Sequence, residues 1–476
     1  MAGQKKERKG SAGCPFSKND VIDLKIDDIG NEGEGIGHYD GYAVFVNNAL
    51  PGDKIRALIM KVKKNYAFAK LLEIVNPSNL RVEPKCSISA RCGGCNLQHM
   101  SYEGQLEYKE NKVKNCLVRI GGYDEAYVNS IHEPIIGMTN PFNYRNKAQF
   151  PVQQTPDGQI AMGFYAGRTH RIIPTDNCNI QMDESNHIAK LVRMWMTEHN
   201  ISAYDETSHT GLIRHVLTRI GKSTGQIMVC LVVTSKKVPH TDSLVDILLK
   251  ETGMTCICLN INSEKTNRIL GDKIIPLYGQ PYIEDNIGDL CYRISPLSFY
   301  QVNPEQTVKL YNTALEYANL TGNEVVWDLY CGIGTISLFL AKKAKQVLGV
   351  EIVPEAINDA KVNAQLNGIT NATFLTGAAE TVAAQVAADE LYKDIANPDV
   401  IVVDPPRKGC DSKLLETIVN VKPDKVVYVS CDPATLARDV KVLRENGYEM
   451  KKWRACDMFG MTGHVETCVL LCCTNS

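Results

Sequence analysis

Between Asp20 and about Val75 the chain alternates short apolar runs with polar turns: "VIDLKIDDIG", "GYAVFVNN", "KIRALIMKVK" and "YAFAKLLEIV" are separated by "NEGEGIGHYDG" and "LPGD". Short strands at that spacing predict a small antiparallel barrel. From about Met182 to Pro296 the pattern is mixed. "GLIRHVLTRIG" and "GQIMVCLVVTS" read as strands joined by "GKSTG", which predicts a hairpin, whereas "HIAKLVRMWMTEH" and "TDSLVDILLKET" carry helical periodicity. In "PEQTVKLYNTALEYANL" Val308, Tyr311, Leu315 and Ala318 share one side, and Pro304 suits the first turn of a helix. Beyond it, "EVVWDLY", "QVLGVE", "ATFLTG", "DVIVVD", "KVVYVS" and "ETCVLLCC" are apolar, β-branched and regularly spaced. They predict a doubly wound parallel sheet with helices on both faces.

A chain of 476 residues is too long for one core, so two to four domains are expected. No run approaches the ~20 apolar residues that span a bilayer, and "MAGQKKERKG" lacks the apolar core of a signal peptide. A cytoplasmic location is expected. The net charge of −2 gives no global argument for nucleic acid, so any basic footprint must be local. Lys5, Lys6, Arg8 and Lys9 form one basic region, and Lys54–Lys70, with Arg56, Lys61, Lys63 and Lys64, forms another. Arg214 and His215 in "GLIRHV" are a further basic pair, read as lying on an exposed sheet face. The 17 cysteines, in a chain this large, read as metal ligands, catalytic thiols and core filler rather than a disulfide framework.

Three of those cysteines cluster. "CSISARCGGC" gives Cys86, Cys92 and Cys95 on one glycine-bent loop, and Cys178 in "TDNCNI" could complete a four-thiolate shell. Zinc and an iron–sulfur cluster both accept such a shell, and the radical-enzyme spacing C-x3-C-x2-C is absent. A second constellation lies on the C-terminal sheet. Gly332 and Gly334 in "DLYCGIGTIS" end its first strand, where backbone can approach a ligand, and Glu351 ends the second, where a carboxylate can accept both ribose hydroxyls. Ser337 stands where a dinucleotide fingerprint needs a third small residue, and no basic phosphate cradle follows. S-adenosylmethionine is therefore favoured over NAD. "VIVVDPPRKG" holds Asp404 beside that cofactor in a stiff loop. Arg407 follows the double proline where amino-directed methyltransferases typically place an aromatic ring.

At this point the chain resembles the S-adenosylmethionine-dependent RNA uridine-C5 methyltransferases, which modify 23S ribosomal RNA or the T-loop of transfer RNA. The resemblance runs from about Asp20 to the C-terminus. It rests on a G-x-G-I-G, V-F-V, P-G-D barrel like a TRAM domain, the cysteine set, "SFYQVNPEQ", "DLYCGIGTIS", "DPPRKG", "VSCDPATLARD" and "MTGHVET". It implies an α/β protein with a disordered basic tail (1–15), a TRAM-like, OB-like β-barrel (16–76), a central α+β iron–sulfur domain (77–300) and a Rossmann-like class I methyltransferase domain (301–476). It also implies a [4Fe–4S] cluster on Cys86, Cys92, Cys95 and Cys178, cofactor contacts from Gln301, Tyr330, Glu351 and Asp404, a nucleophile at Cys431 and a proton-abstracting carboxylate at Glu466. Ala378 departs from the pattern: many relatives carry Asp or Asn there to bond the adenine.

The chemistry explains the residue types. Thiolate addition to carbon 6 of uracil makes carbon 5 nucleophilic enough to take a methyl group, and a base must then remove the carbon-5 proton. Cys410 is a rival nucleophile, ranked lower because no strand fixes its direction. The target uridine must leave its stack, so a single-stranded RNA loop is the expected partner. On the barrel, Tyr39, Tyr42, Phe45, Tyr66 and Phe68 are candidates to stack on bases, although some must fill the core. A 23S ribosomal RNA loop is favoured over transfer RNA, because the transfer-RNA branch usually lacks barrel and cluster. The enzyme is expected to act as a monomer away from membranes. The competing readings are a redox or radical RNA-modifying enzyme and a catalytically silent RNA-binding protein.

Overall fold

The computed structural model describes residues 15–167 and 169–474, so the basic tail lies almost wholly outside the described residues. Two compact units are present. One comprises the chain up to Lys109 with Met461–Gly463, and the other Glu110–Gly460 with the chain from His464.

The first unit contains a closed barrel of β1 (Val21–Ile29), β2 (Gly35–Tyr39), β3 (Tyr42–Val46), β4 (Lys54–Val62) and β5 (Tyr66–Asn76), in the order β1-β2-β3-β5-β4. Alternation buries Ile22, Leu24, Ile26, Val44, Val46, Ile55, Ala57 and Ile59 inside it. β2 lies in the stretch read as a separator. Its glycines allow close approach: a Cβ at Gly37 would lie 2.3 Å from the Lys25 carbonyl on β1. The barrel mouth is pinned by buried Asp53, which accepts N–H groups from Leu50 and Ser78 at 2.7 and 2.8 Å and pairs with Arg81 at 2.6 Å.

The second unit begins its strands with β6 (His132–Ile136), followed by β7 (Lys147–Gln154), β8 (Ile160–Tyr165), β9 (Ile172–Pro174), β10 (Ile213–Ile220), β11 (Ile227–Val233), β12 (Met254–Ile261) and β13 (Lys273–Tyr278). β7–β13 form a seven-stranded sheet, order β13-β12-β11-β10-β7-β8-β9. The predicted hairpin is β10–β11, and the two predicted helices are Asp183–Glu198 and Thr241–Leu248. Every position of β10 and β11 is buried, so this sheet is covered on both faces. That overturns the exposed reading of Arg214 and His215. Both are 5% exposed, and the Arg214 guanidinium donates to the carbonyls of Asn262, Glu264 and Thr266.

After the hairpin β14 (Ile283–Ile287) and β15 (Leu290–Ile294), the helix Pro304–Ala318 is capped by the Asn303 side chain. Then come β16 (Val325–Leu329), β17 (Gln346–Glu351), β18 (Ala372–Thr376), β19 (Val400–Val403), β20 (Lys425–Ser430), β21 (Tyr448–Cys456) and β22 (Glu466–Cys473). Their sheet has the order β18-β17-β16-β19-β20-β22-β21-β6. Five strands are parallel as predicted, but β22 runs antiparallel to both β20 and β21. The sheet is therefore mixed, and β6 from the preceding region closes its edge beside β21. Among the described residues no helix is long and apolar enough to cross a membrane.

Candidate functional site

A cavity of about 670 Å³ opens at the carboxyl ends of β16–β20. The strand order reverses there, with β17 on one side of β16 and β19 on the other, which is where open α/β sheets bind ligands. Its lining includes Gln301, Tyr330, Gly332, Glu351, Asp404, Cys431 and Glu466. Gly334 is the one expected cofactor residue absent from that lining. It starts the helix Thr335–Ala341 at φ +83°, and an added Cβ would meet Ala360 and Phe374 at 3.3 Å.

The turn after β16 is held by its neighbour: the Tyr330 and Cys331 amides both donate to the Val350 carbonyl at 2.9 Å. Tyr330 adopts φ +88° and Gly332 +55°, and a Cβ at Gly332 would meet nothing within 4 Å. The Glu351 carboxylate accepts the Gly332 amide at 3.2 Å and the Val353 amide at 3.1 Å, leaving lone pairs for a ligand. Ser337, the residue that broke the dinucleotide pattern, donates its hydroxyl to buried Asp328. Ala378 lines the cavity at the start of the helix Ala379–Ala388 with no side chain to offer, so backbone is what that edge presents.

The antiparallel direction of β22 brings the reactive groups together. In an all-parallel sheet the start of a last strand would sit at the opposite edge from Cys431. Here Ser430 pairs with Thr467, so the residue after β20, Cys431, and the first residue of β22, Glu466, meet at one rim. Cys410 does not reach it. Its thiol is buried against the Tyr428 hydroxyl at 3.6 Å, and its amide is bound by Asp439.

Carboxyls dominate the electrostatics. Burial, with Asp328 adding to it, raises Asp404 to about 7. Burial, then Asp404, raises Glu466 to about 8 against the opposing pull of Arg407. Burial likewise raises Asp328 to about 7, despite its Ser337 hydrogen bonds. The same influences push the Cys431 thiol up to about 12: burial first, then Glu466 and Asp404, with Arg407 opposing. Acids with little competing positive charge suit a cationic ligand, and the turn Tyr330–Thr335 carries no basic side chain to hold a pyrophosphate. S-adenosylmethionine fits this lining.

Several lining residues were missed in the sequence. Phe299, 71% exposed, stands two residues before Gln301 on an extended segment and could have been found from that spacing. Arg407 stands out in sequence only by its place after the prolines, and the fold makes it the cation acting on Cys431 and Glu466. Asp328 and His464 carried no distinguishing signal.

The cysteine loop lies in the first unit. Cys92 Sγ accepts the Gly94 amide at 3.4 Å, and Cys86, Cys92 and Cys95 are all partly accessible. In the second unit Cys178 is clamped by Asn186, whose side chain accepts the Cys178 amide at 2.9 Å and donates to its carbonyl at 3.2 Å. Among the described residues no three His, Cys, Asp or Glu side chains converge to hold a metal ion.

The family described as tRNA (Uracil-5-)-methyltransferase matches residues 258–474, and the TRAM domain matches residues 15–72. A protein of Halalkalibacterium halodurans described as an uncharacterized RNA methyltransferase is 51% identical over 459 residues, 96% of this chain and 98% of its own length. Another from Clostridium acetobutylicum, with the same description, is 51% identical over 458 residues, covering 96% and 98%. Among solved structures, the Pyrococcus abyssi tRNA (uracil-54, C5)-methyltransferase in complex with S-adenosyl-L-homocysteine is 27% identical. It covers 94% of this chain and 99% of its own, with a TM-score of 0.75. This chain belongs to the S-adenosylmethionine-dependent RNA uridine-C5 methyltransferases that carry a TRAM domain.

Proposed function

We propose that the protein methylates carbon 5 of a uridine in 23S ribosomal RNA through a covalent bond between Cys431 and carbon 6 of the base. The observation that carries this reading is the shared rim of β20 and β22, where Cys431 and Glu466 face one cavity. Bound S-adenosylmethionine supplies an electrophilic methyl group on a positively charged sulfur. Gln301, Tyr330, Gly332, Glu351 and Asp404 orient it, with Glu351 taking the ribose hydroxyls. The thiol is protonated in the free protein, so it must lose its proton as the site fills. Arg407 and the donor's own charge favour loss of that proton to solvent and favour the carboxylate form of Glu466 as well, while the neutral form of Asp404 removes part of the opposing charge. The thiolate forms the Sγ–C6 bond as the C5–C6 double bond opens, carbon 5 takes the methyl group and leaves S-adenosylhomocysteine, and Glu466 in its carboxylate form removes the carbon-5 proton. The returning electron pair expels the thiolate and restores the ring.

RNA carrying 5-fluorouridine blocks the last step and traps the adduct. Wild type is expected to give a stable protein–RNA band in denaturing gels and Cys431→Ala none. Glu466→Gln is expected to methylate but release product at least 100-fold more slowly. A band from the alanine variant would move the nucleophile elsewhere.

A second reading, a transfer-RNA T-loop uridine, is favoured by one observation: the archaeal tRNA enzyme covers 94% of this chain, barrel included, so possession of the barrel does not separate the two RNA classes. Mapping 5-methyluridine in ribosomal and transfer RNA from cells lacking the gene decides between them.

We further infer that the loop cysteines Cys86, Cys92 and Cys95 are ligands of a [4Fe–4S] cluster. Thiolates suit iron, the Gly94 amide donates to Cys92 Sγ, and metal sites commonly gather their ligands only on binding. Anaerobically purified protein is expected to carry about four irons and sulfides per chain, absent from the Cys92→Ser variant. Iron-free wild type would refute the cluster.

A further inference from the structure

Three cations gather on and just before β7 and β10 of the seven-stranded sheet. Lys147 on β7 pairs directly with Arg219 on β10, and Arg145, two residues before Lys147, lies on the same side of the extended chain. Arg219 is 3% exposed. Its guanidinium donates to the Ser298 carbonyl, while its Nε and that of Arg145 are buried without a hydrogen-bond partner. Among the described residues, no carboxylate lies within ion-pair distance of any of the three. Burial, then Arg219 and Arg145, pulls the Lys147 ammonium down to about 7, with no acid opposing. Like charges assembled this closely are costly unless an anion completes them. Elsewhere Arg81 has a carboxylate partner in Asp53, and Arg214 donates to three carbonyls although its Nε, too, is buried without a partner.

None of the three lines the reaction cavity, but they are tied to the segment that does. Between Arg145 and Lys147, the Asn146 amide donates to the Val302 carbonyl at 2.9 Å, and its side chain donates to the Gln301 carbonyl at 3.3 Å. The segment Ser298–Val302, bound by Arg219 at one end and Asn146 at the other, places Phe299 and Gln301 in the cavity lining. We propose that Arg145 and Lys147, with the buried charge of Arg219 behind them, form a phosphate site for the RNA strand, seating a backbone phosphate next to the nucleotide that enters the cavity. This rests on the reading of the protein as an RNA methyltransferase. An arginine fork matches phosphate oxygens in pairs, and an ammonium beside it adds a point charge. Phosphate contacts of this kind fix register without reading sequence.

The test uses full-length protein and an unmodified 23S ribosomal RNA transcript, with Arg145→Gln and Lys147→Gln. Both positions are partly accessible, so folding is expected to survive. Each variant should bind the transcript about five- to tenfold more weakly at low salt. The slope of log affinity against log salt should flatten by about 0.7 for each phosphate that is no longer neutralised. Binding of S-adenosylhomocysteine without RNA should not change. An unchanged slope in both variants, while wild type still methylates the transcript, overturns the phosphate site and leaves the enzyme reading intact. Wild type that methylates no RNA defeats the enzyme reading instead. Stabilisation of wild type, but not of the variants, by inorganic phosphate with RNA binding unchanged would assign the trio to a small free anion and overturn the RNA source.

Discussion

At the residue scale the cavity's defining property is protons held where charge is expected. Asp328 and Asp404, raised to about 7, and Glu466, raised to about 8, keep protons in the folded protein that their unfolded counterparts release near pH 4. The folded state therefore binds more protons than the unfolded state between about pH 4 and 8, and its stability falls as pH rises through that window. A cationic donor reverses the balance, because it favours the carboxylates and expels protons. S-adenosylmethionine is therefore expected to bind several-fold more tightly at pH 8.5 than at pH 6, and S-adenosylhomocysteine, whose sulfur is neutral, to gain less. Calorimetric titration in buffers of different ionisation enthalpy reads the released protons directly. Equal pH dependence for the two ligands would show that these acids do not meet the sulfonium. Acid types and positions were legible in the sequence for Asp404 and Glu466. Their protonation was not, since it depends on burial contributed by distant segments.

At the scale of elements, the strands that were read correctly are the apolar, β-branched ones, and those that were missed broke that pattern for physical reasons. β2 is glycine-rich because backbones approach closely there, and β21, "YEMKKWRAC", carries Lys451 and Lys452 near the sheet edge. Strand direction left no mark at all in the residues of β22. Yet it decides whether Glu466 meets Cys431, because it is the pairing of Ser430 with Thr467 that joins the two ends. The glycines after β16 looked equivalent in sequence and are not. An alanine at Gly332 strains φ +55° but points into open space, whereas one at Gly334 strains φ +83° and crowds Ala360 and Phe374. Gly334→Ala is expected to cost about 2 kcal/mol or more of stability in denaturant unfolding. Gly332→Ala should cost about 1 kcal/mol of stability but weaken donor binding at least tenfold. If both variants lose stability equally and bind the donor equally, Gly332 is not a ligand-facing position.

At the scale of the whole molecule, a closed barrel precedes the methyltransferase sheet, and the barrel's rings fall into two groups. Alternation could not separate core rings from surface rings, because a small barrel has few positions and its mouth residues are covered by whatever follows. In the structure Tyr39 and Tyr42 pack on Phe16, with ring centroids at 5.9 and 5.3 Å, against the barrel core. Phe45, Tyr66 and Phe68 instead gather on neighbouring strands β3 and β5, 5.5–5.8 Å apart, outside that core. Lys61 pairs with Phe68 across β4 and β5, and Lys63 and Lys64 follow in the connecting turn. Rings beside lysines are what a single strand needs, since every base has a face to stack and every nucleotide a phosphate to neutralise. Tyr66→Ala and Phe68→Ala are each expected to cost about 1–3 kcal/mol of affinity for single-stranded RNA, measured by fluorescence anisotropy, with little change in unfolding midpoint. Tyr42→Ala should do the opposite, lowering the midpoint through weaker packing on Phe16 while folded protein keeps its RNA affinity. A loss of RNA binding confined to Tyr42→Ala would place the strand on the other side of the barrel.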